Sequence, residues 1–346
     1  MTRALRRIAL TLSLAIGLAG CGGGGGAPAE GPRAARPAAL KVGLLLDDVH
    51  ERWERDRQLI REVVEEMGAE LLVEAADGDQ ARQLEQAQQM LDAGAKALLV
   101  VAHDTEQAAP LVERAAARGV PVISYDRLIR NADVALYIGF DTLKVGELQA
   151  RHLLALVPTG NYLLIGGAPT DGNAKTLRDG QMKVLEASVK SRAVRIVGDG
   201  WALNWSAAAA AKLTEQALDR TRNNLAAVVA SNDVLAGAAI GVLQARGLAG
   251  KVAVSGQDAE LDAARRIVEG TQTMTVYKSL RTLTRLAARS VVLLAKGERV
   301  DTSATVNNGL KEVPAMIFDP IAVDKDNLDG VLIGDGFLKR EEVYRR

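Results

Sequence analysis

From residue 40 onward the chain alternates short apolar runs with longer stretches of helical periodicity, and that alternation fixes most of what it can become. Strand-like runs fall at 41–46, 70–75, 97–102, 120–125, 135–138, 162–166, 194–197, 226–230, 252–255 and 273–276. Helical periodicity fills most of the intervals, at 51–67, 80–93, 107–118, 144–156, 208–219, 235–245 and 279–296. Strict alternation of this kind builds parallel sheets with helices on both faces, joined by right-handed crossovers. So many strands exceed one comfortable doubly wound sheet, and 346 residues suffice for two α/β lobes with separate cores. The first lobe is expected over 39–141, with the chain crossing near Phe140 and Asp141, and the second over 142–279. A tail punctuated by Gly, Asp and Pro follows the last long helix and returns to finish both sheets, 280–312 the first and 313–346 the second.

Ahead of the lobes the sequence has a different character. Arg3, Arg6 and Arg7 precede an apolar run at 8–18, too short to span a bilayer as a helix but laid out like the core of a secretory signal. LAGC at 18–21 resembles the bacterial lipobox, which implies cleavage before Cys21 and a lipid on that cysteine. Residues 22–38, rich in Gly, Ala, Pro and Arg, cannot bury a core and read as a flexible tether. The expected location is the periplasm or cell surface, as a membrane-anchored lipoprotein.

Composition removes several classes of function. Lys plus Arg and Asp plus Glu each total 43, so no general attraction to nucleic acid or anionic membrane is implied. His50, His103 and His152 are far apart, and the lone Cys21 cannot form an internal disulfide, so neither a metal nor another cofactor is expected. The most Ca²⁺-like run, DKDNLDG at 324–330, places Leu328 where an oxygen ligand is needed, and reads as a solvated turn. With aromatics at only 3%, each Trp is conspicuous.

The polar residues that follow the apolar runs are the candidates for function, because open α/β sheets bind ligands beyond the carboxyl ends of their strands. Asp126 and Arg127 follow the run at 120–125, and Arg52 and Trp53 open the helix after the first strand. In the second lobe Asn173, Trp205, Asn232 and Asp258 follow successive runs, and Lys278 stands beyond the last. Each has a plainer reading. Asp126–Arg127 suits a surface ion pair, Trp53 a helix staple, the Asn and Asp residues N-caps, and Lys278 an ordinary exposed lysine. Asp233 is assigned to capping. Jointly, two aromatic faces with a ring of charged and amide groups have the composition of a closed sugar site: the rings take the C–H face, the fork-like donors and carboxylates take the hydroxyls.

Several of these stretches are familiar together: ERWERD at 51–56, YDR at 125–127, KVGELQ at 144–149, ASND at 230–233, SGQD at 255–258, GTQTMTVYK at 270–278 and NNGLK at 307–311. From residue 40 to about 343 the chain resembles the type I, ribose-binding-protein-like family of periplasmic sugar-binding proteins, at its xylose-binding branch. The resemblance implies two α/β lobes joined by three hinge strands, closing like a clamp. It makes Arg52, Asp126, Arg127, Asn173, Asn232, Asp258 and Lys278 polar sugar contacts and Trp53 and Trp205 stacking walls. One departure is Gly172, where the family carries a second Asn beside Asn173. The implied function is a monomeric, non-catalytic, high-affinity receptor for D-xylose or a closely related monosaccharide, delivering it to an ABC transporter permease and its ATPase. A sensor subunit serving a chemoreceptor or kinase is an alternative with the same lobes. A sugar-modifying enzyme using Asp126 and Asp258 as paired carboxylates is disfavoured, because the cationic neighbours would hold both ionised. A transcription regulator is disfavoured by the export signal at the position a DNA-binding element would need.

Overall fold

The computed structural model describes residues 39–345; the expected leader, lipobox Cys21 and tether lie outside the described residues. The first lobe is built in the order β1 (Leu40–Leu46), α1 (Glu51–Glu66), β2 (Ala69–Ala75), α2 (Gln80–Asp92), β3 (Leu98–Val100), α3 (Ala109–Ala116), β4 (Val122–Tyr125) and β5 (Leu136–Phe140). The chain then enters the second lobe: α4 (Thr142–Leu156), β6 (Gly160–Gly166), α5 (Gly172–Lys190), β7 (Val194–Trp201), α6 (Ala207–Thr221), β8 (Ala227–Ala230), α7 (Asp233–Ala245), β9 (Ala253–Val254), α8 (Leu261–Glu269) and β10 (Thr275–Tyr277). It returns through α9 (Leu280–Ala295), β11 (Ala304–Asn307) and β12 (Glu312–Phe318), and crosses again to β13 (Ile321–Val323).

The first sheet has seven strands in the order β11-β12-β5-β4-β3-β1-β2, all parallel except β11, which pairs antiparallel with β12. Position in the sheet explains the sequence of each strand. Interior strand β1, between β3 and β2, is buried over its last five residues and reads as a nearly continuous apolar run, whereas edge strand β2 mixes buried and exposed positions. Helices α1 and α9 cover one face through Ile60, Val64, Leu283 and Val291; α2 and α3 cover the other through Met90, Leu91 and Leu111. Each such fully buried side chain contributes roughly 1.5–3 kcal/mol relative to exposure. The second sheet is parallel, β7-β6-β8-β9, and sits between α6 and α7 on one side and α4 and α5 on the other.

Two features differ from the expected layout. Strand β12 continues in the first sheet to Phe318, so the last crossing falls between Phe318 and Ile321 rather than at 312. The fixed point is the register of Phe318 opposite Phe140, a pairing that runs parallel between residues far apart in sequence. The last strand of the second lobe, β10, leaves the four-stranded sheet and forms a two-stranded antiparallel ribbon with β13.

Candidate functional site

The strand ends that the sequence marked with polar groups open onto one cleft. Its walls include Arg52, Trp53, Asp126, Arg127, Asn173, Trp205, Asn232, Asp258 and Lys278, and they surround about 510 Å³ counting the mouth. His50, Phe140, Thr142, Asp171, Leu177 and Gln257 complete the lining. The backbone is held in the left-handed region at three of the expected residues, Asp126 (φ 61°), Trp205 (φ 54°) and Asp258 (φ 95°). Non-glycine residues reach that region at a cost of order 1–3 kcal/mol and keep it where surrounding structure forces it, commonly at ligand clamps.

The charges form two webs that cross between lobes. In the first, Arg52 on α1 donates Nη2 to Asp126 Oδ1 (2.8 Å) and Nη1 to Asp258 Oδ1 (3.3 Å), with Asp56 Oδ2 3.6 Å from its Nε. Lys278 Nζ lies 2.9 Å from the same Asp258 oxygen. In the second, Arg127 donates Nη1 to Asp47 Oδ2 (2.6 Å) and to the Ala102 carbonyl (2.9 Å), while its Nε lies 2.8 Å from Asp171 Oδ2 of the second lobe. Asn173 Nδ2 crosses in the other direction and donates to the Asp126 carbonyl at 2.9 Å.

Burial and these partners oppose each other in setting the charge states. Burial alone would push Asp126 up, but Arg52 and Lys278 outweigh it and hold the carboxyl well below the usual range. Asp258 is lowered in the same way, against its burial, by Lys278 and Arg52. Asp47 is also raised by burial and pulled back by Arg127 and His103, ending at about 2. Behind the cleft burial wins: Asp56 rises to about 6 in spite of Arg52 and the Tyr125 hydroxyl that donates to it at 2.8 Å. The cleft therefore presents ionised carboxylates and guanidinium forks, both suited to hydroxyl groups.

Several expected residues carry both of their readings. Trp53 belongs to the first-lobe core and lines the cleft, with the Arg52 guanidinium 4.5 Å from its ring centre. Asn232 lines the cleft and is also the N-cap of α7, its Oδ1 accepting from the Leu235 N–H at 3.0 Å. The assignment of Asp233 to capping is corrected. Asn232 takes the extended N-cap conformation, and Asp233 is the first helical residue, its carboxylate accepting from Gln272 Nε2 (2.7 Å), Thr275 Oγ1 (2.9 Å) and the Glu260 N–H (3.1 Å). Burial and the nearby Asp258 push its carboxyl up to about 7.

Sequence reading passed over Asp171 and Gln257, although each sits beside a residue it chose. Asp171 caps α5 by accepting from the Asn173 N–H (2.8 Å), and the same side chain receives Arg127. Its signal was there: an Asp directly before a helix and two residues before Asn173. Gln149, inside the KVGELQ stretch, is fully buried and donates Nε2 to the carbonyls of Ser231 (3.1 Å) and Gly256 (3.0 Å), tying together the loops that carry Asn232 and Asp258. Gly172, the departure from the family pattern, donates its N–H to Thr105 Oγ1 of the first lobe at 3.2 Å. Among the described residues no group of three or more His, Cys, Asp or Glu is arranged to hold a metal ion.

Comparison with known proteins places this geometry. The sequence profile described as periplasmic binding protein domain matches residues 42–299. The chain belongs to the periplasmic binding protein family. Among members of that family, it is 47% identical over 312 residues to the D-xylose-binding periplasmic protein of Haemophilus influenzae, covering 90% of this chain and 94% of that one. It is 44% identical over 311 residues to the D-xylose-binding periplasmic protein of Escherichia coli, again covering 90% of this chain and 94% of the relative. A solved carbohydrate transporter solute-binding protein from Chloroflexus aurantiacus, in complex with D-glucose, superposes with a TM-score of 0.80 at 31% identity, over 88% of this chain and 97% of its own.

Proposed function

We propose that the protein is an extracytoplasmic receptor for D-xylose that hands the sugar to an ABC transporter permease by closing and opening its lobes. The observation that carries the reading is the cleft itself, where Arg52, Asp126 and Arg127 of one lobe meet Asn173, Asp258 and Lys278 of the other, with Trp53 and Trp205 in the walls. A sugar lying there touches both lobes only when they are shut, so its differential affinity favours the closed form. The indole N–H groups of Trp53 and Trp205 are buried without an acceptor in the protein, which supports a site finished by a polar ligand. Chemistry on the sugar is not part of the proposal: Asp126 and Asp258 are both held ionised, so neither supplies the proton that glycoside cleavage needs.

Isothermal titration with xylose, ribose, arabinose and glucose tests this. Xylose is expected to bind tightest, with a smaller radius of gyration in solution scattering once bound; absence of heat at millimolar xylose would end the proposal. For the leader, the reading is a lipid on Cys21 and a tether over 22–38. Cys21→Ser should move the protein from the membrane fraction to the soluble fraction, and wild-type protein already soluble would count against the anchor.

A further inference from the structure

We infer that Gly167 is a positioning residue for the aromatic wall of the cleft, acting through Trp205; this rests on the reading that Trp205 faces the sugar. A methyl group added at Gly167 would lie 2.2 Å from Cη2, 2.3 Å from Cζ2 and 2.4 Å from Cζ3 of Trp205. The six-membered part of the indole therefore lies directly against the Gly167 backbone. Trp205 lines the cleft and Gly167, fully covered behind it, does not. Gly167 is not in the left-handed region, so its own backbone does not call for glycine. What the position requires is the close approach of the ring.

The loop bearing Trp205 has little freedom to move aside. Asn204 and Trp205 are both left-handed (φ 51° and 54°), the Trp205 N–H donates to the Ala202 carbonyl (2.9 Å), and the Ala202 N–H donates to the Gly166 carbonyl (2.9 Å). Ser206 then caps α6 by accepting from the Ala209 N–H. A side chain at 167 therefore displaces the ring rather than the loop, into the space a ligand would take.

A glycine in the first-lobe core supplies the control. A methyl group at Gly43 would crowd Leu98 and Met90, each 2.6 Å away, and none of the three lines the cleft. Gly167→Ala is expected to weaken xylose binding about tenfold or more, the size expected when a well-packed contact is overfilled, and Gly43→Ala to leave affinity unchanged. In a Trp205→Ala background Gly167→Ala should have no further effect on affinity, the signature of a residue acting through another. Trp205→Phe lacks the crowded atoms, so the Gly167→Ala/Trp205→Phe pair should bind better than Gly167→Ala alone, and it serves where the single variant fails to fold. Titrations and melting curves of the five variants read all of this. Wild-type affinity in Gly167→Ala, equal losses in Gly43→Ala, or a full further loss on top of Trp205→Ala would each overturn the inference. Unchanged affinity in Trp205→Ala would instead overturn the assignment of Trp205 to the sugar site.

Discussion

Arg127 shows how much a single side chain carries here. It is almost wholly buried and holds Asp47 of its own lobe and Asp171 of the other at once. Arg127→Ala leaves Asp171 buried without its cation and Asp47 with His103 alone, so xylose affinity should fall by about 2–4 kcal/mol in titration calorimetry. Arg127→Lys should recover only part of that, because an ammonium is a single point charge and cannot fork onto two carboxylates facing it from different sides. Residues of this kind were legible because the charged and amide groups recur in the segments between an apolar run and the next helix, beyond the carboxyl ends of strands. Asp233 was misread for a local reason: in an Asn-Asp pair both types lead the capping ranking, and only the backbone conformation decides which one caps. Gln149 had no local signal at all, since its three carbonyl partners come from loops more than eighty residues away.

Between elements, α4 and α5 cross in close backbone contact at two glycines. A methyl group at Gly146 would stand 2.0 Å from the Leu177 carbonyl oxygen, and one at Gly180 would stand 2.1 Å from that of Leu143. The obstacle on each side is backbone, which has no rotamer to yield. Gly180→Ala should therefore lower the melting temperature, at a cost of about 1–3 kcal/mol or more in denaturant unfolding, while an alanine at exposed Gly241, with nothing within 4 Å, should not destabilise the protein. Parallel strands and most helices could be read from periodicity, but α5 and α8 were not singled out, as glycines interrupt the first and the second spans only Leu261–Glu269. The antiparallel pairings of β11 with β12 and of β10 with β13 were hidden for a different reason. The second joins strands some forty residues apart, and nothing local distinguishes a strand that continues a sheet from one that leaves it.

For the whole molecule, the balance of charge should show in its response to pH. Burial, then repulsion from Asp233 and Asp258, pushes Glu260 up to about 9 from an ordinary 4.5. Between those values the native protein holds a proton that the unfolded chain has released, so this group lowers stability as pH rises through that window. Glu260→Gln should melt higher than wild type at pH 8 and alike near pH 4; identical curves at both would refute it. Asp47 works in the opposite sense: lowered to about 2, it contributes stability above its ordinary 3.8 that is lost as acid takes the pH down from there. The chain's three passages between lobes carry a further consequence. One face of the first sheet, built from residues 40–140, is covered by Leu283, Ala287 and Val291 of α9, and the sheet gains β12 only when Phe318 is in place. A nascent polypeptide is thus denied a finished amino-terminal half until synthesis is nearly over.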